Sequence, residues 1–192
     1  MVKVGVAGTH STGKTKSLLW AKNLLEARGL RIGYISEVAR RCPLPILKQH
    51  SVDSTLWIVT STIADELAVS HISDVILVDR PVLDAIAYYS AALEHRSEIP
   101  EEDTVKSQLL NELVKEWSKT YDYIARTEID PQIAIVDDGS RDTDPLFRSR
   151  VARALNSVLE RLRPDAVHLS SDEERNGELI STLVTSRLSA NT

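Results

Sequence analysis

The sequence is poor in cysteine and has no long apolar run, and each absence excludes a class of protein. Cys42 is the single cysteine among 192 residues, so neither a disulfide framework nor a cysteine zinc site is possible. We interpret Cys42 as a small hydrophobic residue. No apolar run approaches the ~18 residues that a membrane-spanning helix needs. A strand pattern begins at Val2 and leaves no room for a signal peptide, so we expect a cytoplasmic protein.

The chain also lacks an excess of positive charge. Its 23 basic and 28 acidic residues give a net charge of −5, and the basic residues are dispersed along the sequence. Because proteins that bind long nucleic acids usually carry an excess of Lys and Arg, DNA is a disfavoured partner, although a local basic groove is compatible with an acidic total. The length suits one domain with a full core, and we expect a single domain over residues 1–192.

Short β-type runs alternate with helical patterns along the chain, which predicts an α/β fold with a parallel sheet. The β-type runs predict strands at residues 2–7, 31–36, 75–78, 121–126 and 166–169. Apolar residues at helical spacing predict helices at 16–28, 54–70, 81–94, 104–119 and 145–162. The run 171–174 predicts a capping box that opens a last helix.

The most informative motif lies at residues 8–15 and fits the pattern G-x-x-x-x-G-K-[ST]. A predicted strand precedes it and a predicted helix follows it, which is the context that a phosphate-binding loop requires. Lys14 would contact the β- and γ-phosphates, and the Thr15 hydroxyl would coordinate Mg²⁺. The motif therefore predicts binding of a nucleoside triphosphate, by these residues: Gly8, His10, Ser11, Thr12, Gly13, Lys14 and Thr15. Within the motif, we interpret His10 as a packing or conformational residue.

Carboxylates follow three β-type runs. Asp79 follows the run 75–78 and Asp137 follows the run 133–136, and either could hold Mg²⁺. We favour Asp79, whose strand can lie beside the first one; its simpler interpretation is a helix cap before Pro81. Glu37 follows the second strand, at the sheet edge where ligands bind in α/β proteins. It could accept a hydroxyl proton or hold the phosphoryl acceptor, or it is merely an exposed glutamate at a helix start.

The polar stretch 137–144 and the arginines in and after it predict a mobile lid at residues 137–150. A closing segment would bring its arginines, Arg141 followed by Arg148 and Arg150, to the transferred phosphoryl group. The alternative is a solvated turn with capping aspartates. Arg80 is a more specific candidate for the same charge, because it directly follows Asp79.

Four segments occur in an order that resembles a known family: residues 8–15, 36–41, 78–88 and 136–141. Together they are similar to P-loop kinase-type ATPases that include the ribosylnicotinamide kinase domain of bifunctional NAD-biosynthesis regulators. The resemblance implies a three-layer P-loop NTPase fold with a five-stranded parallel sheet of nucleoside/nucleotide kinase type. It implies ATP as donor, Mg²⁺, an acceptor-side carboxylate at Glu37, and phosphate-facing basic roles for Arg80 and Arg141.

The acceptor is not identified by this resemblance. Ribosylnicotinamide kinases often have Asp-Thr after the third strand, whereas this chain has Asp79-Arg80, which is closer to deoxynucleoside and nucleotide kinases. We expect an ATP- and Mg²⁺-dependent kinase that phosphorylates a nucleoside- or nucleotide-like small molecule. One alternative is a kinase acting on a hydroxylated (hydroxymethyl) base within DNA. The other is a non-catalytic ATP-dependent switch.

Overall fold

The computed structural model describes residues 1–99, 104–130 and 142–190. Within them, the strands form one parallel sheet in the order β2-β3-β1-β4-β5. The strands are β1 (Val2–Ala7), β2 (Ile32–Ile35), β3 (Val75–Asp79), β4 (Tyr123–Arg126) and β5 (Val167–His168). The predicted α/β class and five-stranded parallel sheet are confirmed, and β1 and β3 are neighbours as predicted. The strand predicted at 133–136 lies outside the described residues.

Five α-helices and two short 3₁₀ turns connect the described strands, and a sixth α-helix follows the last of them. The helices are α1 (Lys14–Glu26), α2 (Val52–Ser70), α3 (Val82–Arg96), α4 (Val105–Ser118), α5 (Pro145–Leu162) and α6 (Glu173–Ala190). The turns, Val38–Arg41 and Leu47–Gln49, lie between β2 and α2. None of these helices is both long and apolar enough to cross a membrane.

The helices cover both faces of the sheet, as the side chains of β3 illustrate. Val75 and Leu77 pack in a cluster with residues of α1 and α6, whereas Ile76 and Val78 pack with residues of α2 to α5. Successive residues of a strand point to opposite faces, and all four side chains are buried because helices cover both faces. A strand covered on both faces is apolar throughout, which explains the continuous run 75–78. The fold therefore has three layers, and β3 and β1 are central.

The starts of α1 and α6 differ from the prediction for reasons that their local hydrogen bonds show. Helix α1 begins at Lys14 rather than Lys16, because Gly13 adopts a left-handed conformation (φ 81°) and its carbonyl accepts from the Ser17 N–H at 3.0 Å. The prediction of a capping box at 171–174 was wrong. The side chain of Asp172 accepts from the Arg175 N–H at 3.0 Å, and α6 begins one residue later than a Ser171 cap would place it.

Candidate active site

The loop between β1 and α1 lies at the carboxyl edge of the sheet, and its two motif glycines are required by its shape. Gly8 has φ +154°, and a Cβ there would lie 2.0 Å from the Thr127 hydroxyl oxygen. Gly13 has φ +81°, which side chains rarely adopt. Thr12 closes the loop by donating to the Thr9 carbonyl at 2.9 Å. The predicted phosphate-binding loop therefore has the strand–loop–helix geometry that the motif requires.

Lys14 is buried beneath this loop. Its Nζ donates to the carbonyl oxygen of Thr9 and, at 3.3 Å, to the hydroxyl of Thr12. Burial and the nearby charge of Arg80 lower the pKa of Lys14 to about 7, although the carboxylates around it act in the opposite direction. Its ammonium group is thus held by loop oxygens at the position where phosphate oxygens can compete for it.

Thr15 and Asp79 meet at the ends of α1 and β3. The Thr15 hydroxyl donates to Asp79 Oδ2 at 2.5 Å, and Asp79 is buried. A hydroxyl and a carboxylate are hard oxygen donors that suit Mg²⁺, which usually takes one or two protein ligands and completes its shell with phosphate oxygens and water. Among the described residues, no group of three or more His, Cys, Asp or Glu could hold a metal by itself. These two residues therefore fit a Mg²⁺ ion that also binds nucleotide phosphates.

Arg80 connects the ends of β2 and β3 with the phosphate-binding loop. Its backbone is left-handed (φ 70°), an unusual conformation for a residue other than glycine. Its Nε lies 2.7 Å from Glu37 Oε1, and its Nη1 donates to the Gly8 carbonyl at 2.8 Å and to the Tyr88 hydroxyl at 3.2 Å. These contacts, together with one from Nη1 to the Asp84 carboxylate, fix the position of this guanidinium.

Glu37 is ionised at neutral pH in this arrangement. Burial acts to raise its pKa, but the charges of Arg80 and Lys14 and a hydrogen bond from Arg40 outweigh burial, so the pKa of Glu37 is lowered overall. Arg40 Nε lies 3.0 Å from Glu37 Oε2, while Arg80 contacts Oε1. Both carboxylate oxygens are thus paired with arginines, and the carboxylate keeps a defined orientation.

Asp84 is a site residue that the sequence reasoning missed. It is buried on the first turn of α3, where its Oδ2 accepts from the Gly8 N–H at 3.2 Å and lies 3.3 Å from Arg80 Nη1. Burial raises its pKa to about 6, against the opposing charges of Arg80 and Lys14. The spacing of Arg80 and Asp84, four residues apart at a helix start, is the sequence signal that could have identified the pair.

Two cavities meet at these side chains. The first, of about 180 Å³, is lined by the phosphate-binding loop with Asp79 and Glu173. The second, of about 290 Å³, lies between the segment after β2 and helices α2 and α3. Three residues line both cavities: His10, Glu37 and Arg80. The two cavities therefore adjoin at Glu37 and Arg80.

His10 lies at this junction as a buried side chain. Its Nδ1 is 3.3 Å from the Tyr88 hydroxyl, which Arg80 also contacts. This position agrees with the packing role expected for His10.

The predicted lid is described in part. Arg141 and Asp137 lie outside the described residues. Arg148 is buried on the first turn of α5, and its Nη2 donates to the Ser11 carbonyl of the phosphate-binding loop at 3.0 Å. Arg150 instead lies 3.3 Å from Glu94, on the surface of α3. Of the two lid arginines within the described residues, Arg148 contacts the phosphate-binding loop and Arg150 does not.

Comparisons with known proteins agree with this geometry. A family model described as an AAA domain matches residues 3–175. None of the curated proteins compared with the chain is significantly similar in sequence. Two structures of deoxyadenosine kinase from M. mycoides, one with the products dCMP and a flexible dCDP and one with dCTP, share 14% identity with it. Each match covers 96% of this chain and the whole of the kinase chain, with TM-scores of 0.65 and 0.69.

A third structure of the M. mycoides enzyme, with dATP, shares 13% identity. It covers 98% of the chain, is covered in full and has a TM-score of 0.63. At this identity the likeness shows the fold, which is the P-loop fold of nucleoside kinases.

Proposed function

Because the chain belongs to the AAA domain family whose model covers residues 3–175, we propose that it is an ATP- and Mg²⁺-dependent phosphotransferase. The acceptor is a nucleoside- or nucleotide-like small molecule. The observation that carries the proposal is the junction of the two cavities at Glu37 and Arg80. A triphosphate on the loop and an acceptor in the larger cavity would meet at these two side chains, as an in-line transfer requires.

The residues on the donor side have separate roles in this proposal. Lys14 exchanges the oxygens of Thr9 and Thr12 for β- and γ-phosphate oxygens, and the loop N–H groups hold the phosphates. Thr15 and Asp79 would hold Mg²⁺. When bound, this ion neutralises the charge of the phosphate oxygens.

Glu37 and Arg80 act on the acceptor side and on the transferred group. Glu37 is ionised, so it can accept the proton of the attacking hydroxyl or orient that hydroxyl by a hydrogen bond. Arg80 lies close enough to the loop to stabilise charge on the migrating phosphoryl group. The contacts of Arg80 with Glu37 and Gly8 hold it in place before the substrate binds, so little reorganisation is needed.

Arg148 extends the proposal to the lid. Its contact with Ser11 supports a role in neutralising phosphate charge. The role assigned to Arg141 and the lid boundaries at 137–150 stay predictions, as do the single domain over 1–192 and the cytoplasmic location. The deoxynucleotides named with the M. mycoides kinase make deoxynucleosides the first acceptors to test.

One labelling experiment tests the proposal. The protein is incubated with Mg²⁺, γ-labelled ATP and, in separate reactions, nucleosides, nucleoside monophosphates and DNA that contains hydroxymethylated bases. We expect label on a nucleoside or nucleotide, with Lys14→Ala as the inactive control. Label on DNA alone would instead support the DNA kinase. ATP binding or hydrolysis without any labelled acceptor would support the switch.

A further inference from the structure

His50 is a buried histidine in the wall of the larger cavity. It is 3% exposed and lies between the 3₁₀ turn Leu47–Gln49 and helix α2. The larger cavity includes it among its lining residues, whereas the phosphate cavity does not. It therefore lies on the acceptor side and away from the transfer itself. The sequence reasoning did not select it, because no motif contains it.

The hydrogen bonds of the ring fix which nitrogen carries the proton. The Leu47 N–H donates to His50 Nδ1 at 3.0 Å, and a ring nitrogen that accepts a hydrogen bond has no proton. The proton of the neutral ring is therefore on Nε2. Nε2 is buried and has no hydrogen-bond partner among residues 1–99, 104–130 and 142–190. A buried donor without a partner costs free energy that a ligand can recover.

The surrounding loop holds this ring in one protonation state and one position. Burial and the charge of Arg96 lower the pKa of His50 to about 4, so the ring is neutral at pH 7. Arg96 also donates to the carbonyl oxygens of Lys48 and His50, at 2.6 and 3.0 Å. Leu47 adopts φ 61°, and this conformation directs its N–H to the ring. The donor is therefore positioned before any ligand binds.

We propose that His50 determines acceptor specificity by donating from Nε2–H to a hydrogen-bond-accepting ring atom, a carbonyl oxygen or an unprotonated nitrogen. This inference rests on the proposed kinase function and names the chemistry of its acceptor. The same cavity is also lined by the apolar side chains of Ile46, Ile58 and Ala85, which suit a flat heterocyclic ring. An acceptor that presents an amino group at this position places two donors against each other and is rejected.

Two substitutions separate the donor from the loop contact. In His50→Asn, the amide oxygen can still accept from the Leu47 N–H, but the distal donor is lost. In His50→Gln, an amide N–H reaches the Nε2 position. With the best nucleoside from the labelling panel, we expect His50→Asn to raise its KM by about 5- to 10-fold, with kcat and the KM for ATP unchanged. His50→Gln should recover most of this loss.

Analogues of the same nucleoside identify the ring atom. In each analogue one carbonyl is replaced by hydrogen, or one ring nitrogen by C–H. One analogue lacks the atom that accepts from His50. For this analogue, wild type and His50→Asn should have equal KM values, because neither protein can form the hydrogen bond. If His50→Asn leaves the KM unchanged for the parent nucleoside while label is transferred normally, the specificity role is wrong and the kinase function stands.

A measurement on the wild-type protein keeps the inference testable if a variant does not fold. Two-dimensional ¹⁵N–¹H NMR of the histidine rings should show His50 as the Nε2–H tautomer at pH 7. Adding the unlabelled nucleosides in turn should shift this resonance for at least one of them. An Nδ1–H tautomer, or a resonance that no nucleoside shifts, would overturn the inference. The absence of label with every acceptor would refute the kinase function. The NMR titration would then still test whether His50 binds a nucleoside.

Discussion

The Arg80 guanidinium lies 2.7 Å from the Glu37 carboxylate and joins the ends of two adjacent strands. The pair is little exposed, at 10% for the Arg80 side chain and 23% for that of Glu37, so solvent screens it weakly. Arg80 also holds the Gly8 carbonyl of the phosphate-binding loop. One arginine thus fixes the carboxylate and the loop relative to each other, and both cavities are shaped around this contact.

Lys14→Ala should abolish phosphoryl transfer and leave the fold intact. The Lys14 ammonium group contacts loop oxygens, so its loss removes charge at the phosphates. The matched control is Lys22→Ala, because Lys22 lies on the same helix outside the phosphate cavity and pairs with Glu26 at 2.8 Å. Transfer rates and thermal unfolding are measured for both variants. Full activity of Lys14→Ala would contradict the phosphate-loop assignment.

Glu37→Gln should lower kcat by ~10²–10⁴ with little change in the KM for ATP. The substitution keeps the shape of the side chain but removes the charge that accepts or orients the hydroxyl proton. Glu26→Gln, at an exposed position paired with Lys22, is the control for charge removal alone. A normal kcat with weakened ATP binding would instead place Glu37 on the donor side.

Asp79→Asn should raise the Mg²⁺ concentration needed for half-maximal rate by ~10-fold or more. An amide is a poorer ligand than a carboxylate, and the Thr15 hydroxyl then loses its charged acceptor. The control, Asp74→Asn, removes a carboxylate just before β3 that pairs with Arg31 at 2.7 Å. Rates are measured over a Mg²⁺ series at fixed ATP. The same Mg²⁺ dependence in both variants would rule out Asp79 as a metal ligand.

Arg148→Ala should lower kcat by ~10²-fold, and more than it raises any KM. Its guanidinium contacts the Ser11 carbonyl, beside the site where phosphate charge develops. Arg150→Ala is the control on the same helix, because Arg150 pairs with Glu94 at the surface. Steady-state kinetics with both substrates varied will separate kcat from KM. Equal effects of the two substitutions would argue against a phosphate role for Arg148.

The stability of the protein should depend on His50 between pH 6.5 and pH 4. The pKa of His50 is about 4 in the folded state, against 6.5 for an unperturbed histidine. Between these values the unfolded state binds more protons, so acid lowers the free energy of unfolding, by on the order of 1–3 kcal/mol. In His50→Asn this contribution is absent, so its urea-unfolding curves should lose less stability over this range. Parallel loss in both proteins would show that His50 titrates normally.

The meeting of Thr15 and Asp79 could be predicted from sequence because two strong local signals determine it. The loop motif places Thr15 on the first turn of α1, and the apolar run before Asp79 places this residue at the end of a buried strand. Parallel strands present their carboxyl ends at one edge of the sheet, so the two residues must be close. The same reasoning placed Glu37 and Arg80 at that edge.

The residues that the sequence did not reveal depend on contacts between distant segments. Asp84 binds the N–H of Gly8, 76 positions away, and no periodic pattern encodes that contact. His50 follows a loop in which Leu47 has an unusual positive φ, so neither propensity nor spacing predicts where its ring points. Arg148 and Arg150 are equivalent in the sequence, and the packing of α5 against α3 decides which of them reaches the loop.

The junction of the two cavities also determines how the protein can be inhibited. The cavities measure about 180 and 290 Å³ and have Glu37 and Arg80 in common. A bisubstrate ligand, in which a phosphate chain joins the donor nucleotide to the acceptor nucleoside, can fill both at once. Because one molecule loses translational and rotational freedom only once, it binds more tightly than its two halves. The number of phosphates that gives the tightest binding then reports the distance between donor and acceptor.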